Sequence, residues 1–303
     1  MEQVQLALQY PRGLWNTLTI IESKFDETRC LTWMSQNWWL CFLFSVIYVG
    51  LVFGGKALME KRHPWALRYA LCMWSTGLAA FSLYACMRIY PRFLNLLRLG
   101  GFEYTVCDMM YIVGSREMGI WAWLFPLSKL PELFDTFFII VRKSKLSFLH
   151  WYHHFSVFIY CWYSYAYPIS TGVWFGTVNY TVHAIMYMYY AAKASGRNPP
   201  RWIARAITTL QLSQMFVGLF LNFTAIRAVT LGKVCRMDWF TVGISVFFYS
   251  SYAVLFANFY YWTYLRKKKS PQSSGDGKPT ALPNMSKLNG HTGSNGSISN
   301  GKY

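Results

Sequence analysis

The stretch from Asn37 to Leu58 reads NWWLCFLFSVIYVGLVFGGKAL, with Lys56 as its one charged residue. At 1.5 Å per residue such a helix is about 33 Å long, close to the thickness of a bilayer's hydrocarbon core. Six further apolar stretches follow, at about 65–88, 118–141, 147–167, 172–192, 202–226 and 239–265. One block of this kind would suit a buried helix of a soluble protein equally well. Seven in succession would not. The sequence predicts an all-α integral membrane protein with seven transmembrane helices, and the lipid bilayer is its first expected partner.

Composition agrees. Charged residues make up 14% of the 303-residue chain, against roughly 25% in soluble domains. Apolar residues reach 54% and aromatics 19%, which excludes disorder over most of the length. A formal net charge of +17 would also suit a nucleic-acid binder. Here the basic residues sit between apolar blocks instead of along one stripe, so no nucleic-acid partner is expected. The first 36 residues lack the basic-then-apolar start of a cleavable signal. After Arg266-Lys267-Lys268-Lys269 the chain turns to Ser, Gly, Asn and Pro, too poor in apolar groups to offset the entropy of ordering. The chain thus divides into an N-terminal segment at 1–36, a seven-span domain at 37–265 and a disordered tail at 266–303.

The loops alternate in charge. One set carries Lys56, Lys61, Arg62, Arg68, Arg142, Lys143, Lys145, Lys193, Arg197, Arg201, Arg205 and the basic run at 266–269, with Glu60 as its single acid. The other set holds fewer basic residues and most of the acids. Loops rich in Lys and Arg stay in the cytosol, which predicts a lumenal or extracellular N-terminus and a cytosolic C-terminus. The seven cysteines show no metal-ligand spacing. Cys30, Cys107 and Cys235 fall on the non-cytosolic side, where disulfides persist. Cys107 and Cys235 lie in two separate loops and are the candidate bridge, the alternative being three free thiols.

The chemistry lies in polar residues within the apolar blocks. Ionisable groups are costly there and normally face a site inside the bundle. The third block carries Lys129, Glu132, Asp135 and Thr136, spaced for one broad helix face, with Pro126 and Pro131 predicting a kink or break. The fourth opens on His150-Trp151-Tyr152-His153-His154. The fifth carries Asn179, His183 and Tyr187, and the sixth Thr208, Gln211 and Gln214. Counted from the basic loops, nearly all fall in the cytosolic half of the bilayer. They outline one polar chamber with a basic rim of Arg142, Lys143, Lys145, Lys193, Arg201 and Arg205. An anionic ligand with a long apolar tail would fit it, its charge at the rim and its tail in the bundle.

A histidine cluster in a membrane suggests first a metal-dependent lipid desaturase or hydroxylase. Those sites spread more histidines over several boxes, whereas of the six here His63 lies in a loop and His291 in the tail. Four imidazoles could hold one metal ion, and that reading stands as an alternative. A non-enzymatic seven-span receptor or transporter is a second. Imidazole also serves as nucleophile or acid and base without a metal.

The residues then match a family. Lys129 to Thr136 resembles the KxxExxDT motif of the very-long-chain fatty acid elongases, and His150 to His154 their HxxHH box. Asn179 to Tyr190 resembles NxxxHxxMYxYY, and Thr208 to Gln214 TxxQxxQ. The four occur in order, within a resemblance covering roughly residues 35 to 265. The Trp151-Tyr152 pair and the segment from Asn37 to Gly55 look most like the branch acting on saturated and monounsaturated chains.

This resemblance implies a seven-span condensing enzyme of the endoplasmic reticulum. Such an enzyme joins a long-chain acyl-CoA to malonyl-CoA, releases CO2 and CoA, and leaves a 3-ketoacyl-CoA two carbons longer. Helices two through seven would form a barrel around the acyl chain. His153 would take the acyl group, with His150 and His154 orienting it. His183, Asn179 and Tyr187, faced by Gln211 and Gln214, are the candidates for the malonyl half-reaction, while Lys129, Glu132 and Asp135 would fix the geometry of the histidines. No cofactor or metal is expected, and the reductases and dehydratase of the elongation cycle are candidate partners. Of the sequons, Asn222 lies at a membrane boundary, and Asn179, Asn284 and Asn295 are not expected to be modified.

Overall fold

The computed structural model describes residues 22–107 and 116–266. Most of the N-terminal segment, and the tail expected to be disordered with its sequons at Asn284 and Asn295, lie outside the described residues. Nine α-helices occur among the described residues: α1 (Glu27–Asn37), α2 (Leu40–Glu60), α3 (Arg68–Cys107), α4 (Arg116–Glu132), α5 (Asp135–Val141), α6 (Phe148–Ala166), α7 (Gly172–Ala194), α8 (Arg201–Thr230) and α9 (Trp239–Tyr260). A π-helical turn, Tyr261–Leu265, extends α9.

Four of these segments are long and apolar enough to cross a bilayer by themselves: α2, α3, α8 and α9 with its π turn. The histidines and tyrosines of α6 and α7 lower their hydropathy, and the third apolar block is divided between α4 and α5. Outward faces are apolar, with Phe42, Val46 and Leu51 on α2, Phe216 and Phe220 on α8, and Phe247 and Val254 on α9 all exposed. Charged and amide side chains are buried instead, including Lys129, Glu132, Asn179 and His183. That inversion is what a hydrocarbon solvent selects, and the protein is an all-helical integral membrane protein.

Two departures from the sequence reading have local causes. The second apolar block, expected to end near residue 88, continues as helix through Pro91 and turns at Gly101 (φ 76, ψ 175) before ending at Cys107. Gly101 has no Cβ to oppose that backbone conformation. The third block does not offer one continuous face. Pro131 has no N–H, and the helix closes with the short-range bonds Phe134 N to Pro131 O and Thr136 N to Leu133 O, so α5 starts afresh at Asp135.

The packing makes a ring. α6 packs on α9, α9 on α8, α8 on α7, and α7 on α3 and α4, and α4 returns to α6. α2 lies outside it against α5 and α6, and α1 lies across α4 and α6. Between α8 and α9 a Cβ at Gly218 would overlap the Tyr249 ring, so only glycine permits this approach. Asn222, fully buried, donates from its amide to Gly218 O at 3.0 Å and Ser245 Oγ at 2.9 Å. An amide so enclosed is an interhelical tie and is inaccessible to glycosylation. Asp238 caps α9, accepting from Thr241 N and Oγ1 at 2.8 Å each, and these bonds hold its carboxyl below the ordinary range. Cys107 and Cys235 are joined by a disulfide that ties the end of α3 to the loop before α9.

Candidate active site

α6 begins at Ser147, whose Oγ accepts from the N–H of His150 at 3.2 Å. That cap places the histidine box in the first two turns, where positions i, i+3 and i+4 share a face. The three imidazoles then take different surroundings. His150 Nε2 lies 3.0 Å from Thr136 Oγ1 on α5, which in turn meets Tyr48 OH of α2 at 2.8 Å. The His154 ring lies against His150, with centroids 4.3 Å apart. His153 turns the other way, its ring 4.9 Å from that of Tyr252 on α9. Among the described residues His153 is the only box histidine lining the central cavity.

That cavity, counted with the open solvent space at its mouth, holds about 1170 Å³ not filled by protein atoms. Asn179, Gln214 and Tyr252 also line it, and Phe125, Val157, Tyr160, Phe175 and Met215 make the rest of its wall largely apolar. α1, α3, α4 and α6 through α9 contribute, whereas no residue of α2 does among those described.

Beside the cavity runs a buried polar chain. Lys129 Nζ donates to Glu132 Oε1 at 2.7 Å and to Asn179 Oδ1 at 2.8 Å, and lies 4.6 Å from the centre of the Phe125 ring. Because an ammonium only donates, the Asn179 oxygen is committed to Lys129, leaving its NH2 end as a donor. Glu132 Oε1 also lies 3.4 Å from His183 Nδ1. A carboxylate only accepts, so the nitrogen facing it, Nδ1, carries a proton. Asp135, past the helix break, accepts from Trp74 Nε1 at 2.7 Å and from Tyr187 OH at 2.6 Å. Lys129 and Glu132 neutralise each other, which makes their burial tolerable.

The expected sets are therefore brought together in part. Lys129, Glu132, Asn179 and His183 form one hydrogen-bonded chain, and Asp135 joins Tyr187, whose ring lies 5.4 Å from His183. Gln214 lines the cavity, whereas Gln211 turns aside to Met186 Sδ at 3.1 Å. On the basic rim Arg142, Lys145, Lys193 and Arg201 are exposed. Lys143 and Arg205 are exposed too, and donate to Glu60 O at 2.9 Å and to Tyr260 OH at 2.8 Å. Tyr48, Trp74 and Tyr252 were not singled out from the sequence. For Trp74 there is a signal, since an indole N–H within an apolar span needs a partner. Among the described residues no three His, Cys, Asp or Glu side chains converge as a metal site.

Comparison with known proteins adds to this geometry. The profile of the ELO family (GNS1/SUR4 family) matches residues 33–272. The chain is 45% identical over 246 residues to very long chain fatty acid elongase 6 of Drosophila melanogaster, covering 80% of this chain and 78% of that one. It is 43% identical to the elongase 6 of Gallus gallus (81% and 92% covered) and 41% identical to that of Homo sapiens (82% and 93%).

Proposed function

Since the chain belongs to the ELO (GNS1/SUR4) family, we infer that it is the condensing enzyme of fatty acid elongation, a 3-ketoacyl-CoA synthase acting on acyl-CoA and malonyl-CoA. The observation that carries the mechanism is His153 at the wall of a largely apolar cavity that Asn179 and Gln214 also line. In the first half-reaction a His153 ring nitrogen attacks the thioester carbonyl. The C–S bond breaks, the thiolate of CoA leaves, and the proton from the acylated ring goes to it. This divides a difficult condensation into two easier steps. His150, anchored on Thr136, and His154, whose ring lies against it, position the box.

In the second half-reaction malonyl-CoA loses CO2 and its electron pair passes into an enolate. The enolate carbon attacks the acyl-imidazole, and His153 departs with the C–N bonding pair. The developing enolate oxygen needs a donor. The Asn179 amide is poised as one, with His183 and Tyr187 behind it. Lys129, Glu132 and Asp135 hold these groups in place. No metal or redox step enters, so activity survives chelators.

The seven apolar segments, four of them able to span alone, support seven transmembrane helices. Six surround the acyl chain, and α2 stands outside. The charge of the loops supports a lumenal N-terminal segment (1–36), a catalytic domain (37–265) and a cytosolic tail (266–303). The endoplasmic reticulum membrane is the setting in which CoA esters meet the exposed Arg142, Lys145, Lys193 and Arg201. Reductases and a dehydratase acting on the 3-ketoacyl product are the partners this reaction requires.

The test is purified protein with labelled malonyl-CoA and acyl-CoA. A labelled 3-ketoacyl-CoA is expected, and its absence overturns the reading. With acyl-CoA alone, intact mass should show an acyl adduct that His153→Ala lacks. An adduct unchanged in that variant removes His153 from the role of nucleophile. His183→Ala should keep the adduct and lose condensation.

A further inference from the structure

The lining of the cavity includes a part of the chain that lies outside the ring of helices. Glu27 and Leu31 of α1, one helical turn apart and therefore on one face, line it together with Tyr165, which stands on α6 well along the helix from His153. α1 is firmly seated there. Asp26 caps it, accepting from Arg29 N at 3.0 Å. Trp33 packs edge-on to Trp123 of α4, with ring centroids 5.9 Å apart, and to Trp162 of α6 at 6.4 Å. Just before it, Glu22 is buried, forms an ion pair with Arg88 of α3 and accepts from Trp121 Nε1 of α4 at 3.1 Å. At Gly119 of α4 there is no spare room, since a Cβ would lie 3.2 Å from the Phe25 ring and 3.3 Å from Glu27 Oε2.

We propose that α1, latched by the Glu22–Arg88 pair, is the floor of the acyl cavity, and that Glu27 and Leu31 on its inner face limit the length of chain the enzyme accepts. This rests on the acyl-enzyme reading and names the specificity-determining residues of that same site. Twelve residues of α6 separate His153 from Tyr165, a rise of about 18 Å. An extended chain advances about 1.3 Å per carbon, given bonds of about 1.5 Å, and so reaches this level near its fourteenth carbon. Further methylenes would press on Leu31 and on a carboxyl. Glu27 is half-buried, and burial pushes its pKa up to about 7. A group already short of solvent would lose more of it when an alkyl end arrives, so the floor both blocks and repels.

The experiment compares wild-type enzyme, Glu27→Ala, Leu31→Ala and Leu31→Trp over saturated acyl-CoAs differing by two carbons, with kcat/KM for each. Both Ala variants should accept chains two to four carbons longer than wild type, with about a tenfold rise in the ratio of longest to shortest substrate. Leu31→Trp should move the limit the other way. Ratios within one preparation are independent of how much of it is folded. A limit common to all four proteins overturns the proposal, as does a loss uniform across chain lengths in the Ala and Trp variants alike. Wild-type enzyme that forms no ketoacyl product from any chain instead defeats the condensing reading on which this floor depends.

Discussion

Thr136 shows how much one hydroxyl can fix. It receives Tyr48 from one side and His150 from the other, joining an outer helix to the histidine box. Thr136→Val keeps the shape and leaves two buried polar groups without a partner. It should cost about 1–3 kcal/mol of stability, read as a lower Tm, and should lower kcat more than it raises KM. Lys129 is a sharper case. Lys129→Met strands Glu132 as a buried charge and should destabilise by about 3–5 kcal/mol. Adding Glu132→Gln should recover much of that loss, and additive effects would show that the pair is not coupled. These residues were legible in the sequence because a charge inside an apolar block demands a reason. The family resemblance pointed to His153 among the three box histidines, but spacing alone does not say which meets the cavity, because it puts all three on one broad face. Only the neighbours Thr136 and Tyr252 separate them.

At the level of elements, the break between α4 and α5 does more than bend a helix. Lys129 and Glu132, before it, reach Asn179 and His183, while Asp135 and Thr136, after it, reach Trp74, Tyr187, Tyr48 and His150. A continuous helix could not aim the four in those directions. Pro131→Ala restores a backbone N–H and lets α4 run on. Activity should fall at least about tenfold while thermal stability stays within about 1 kcal/mol of wild type, and a variant with full activity would show that the break is incidental. Pro131 announced this kink, whereas the extension of α3 past Pro91 was hidden. A proline normally ends a helix in sequence reading, and in a bundle the freed carbonyl is satisfied by the surroundings. α1 was invisible for a different reason. Its sequence, from Glu27 to Asn37, is amphipathic, but its 11 residues are too few and too polar for a span, and the role proposed for it rests on what it covers.

For the whole molecule, the disulfide between Cys107 and Cys235 closes a loop with a sequence separation of 128. Constraint of the unfolded chain by so long a loop amounts to about 4–5 kcal/mol in the entropic picture. Cys107→Ser should therefore lower Tm strongly, yet leave kcat at low temperature near wild type, because the bridge lies far from the histidines along the chain of contacts. At the opposite end the exposed Arg142, Lys145 and Arg201 should act by charge. Replacing any one with Ala should raise the apparent KM for the CoA ester about twofold to tenfold at nearly constant kcat. The effect should shrink as salt rises, since the screening length is only about 8 Å at physiological ionic strength. A salt-independent KM would move CoA recognition elsewhere. The floor proposed for α1 has a kinetic corollary. A cavity shut at one end has a single doorway, so the lengthened product must withdraw along the path its precursor entered. Each extra methylene it has buried adds about 0.8 kcal/mol to the effort of leaving, roughly fourfold in dwell time. Turnover on the longest accepted substrates should then be governed by departure, and a pre-steady-state burst of ketoacyl product should grow with chain length until the floor is reached.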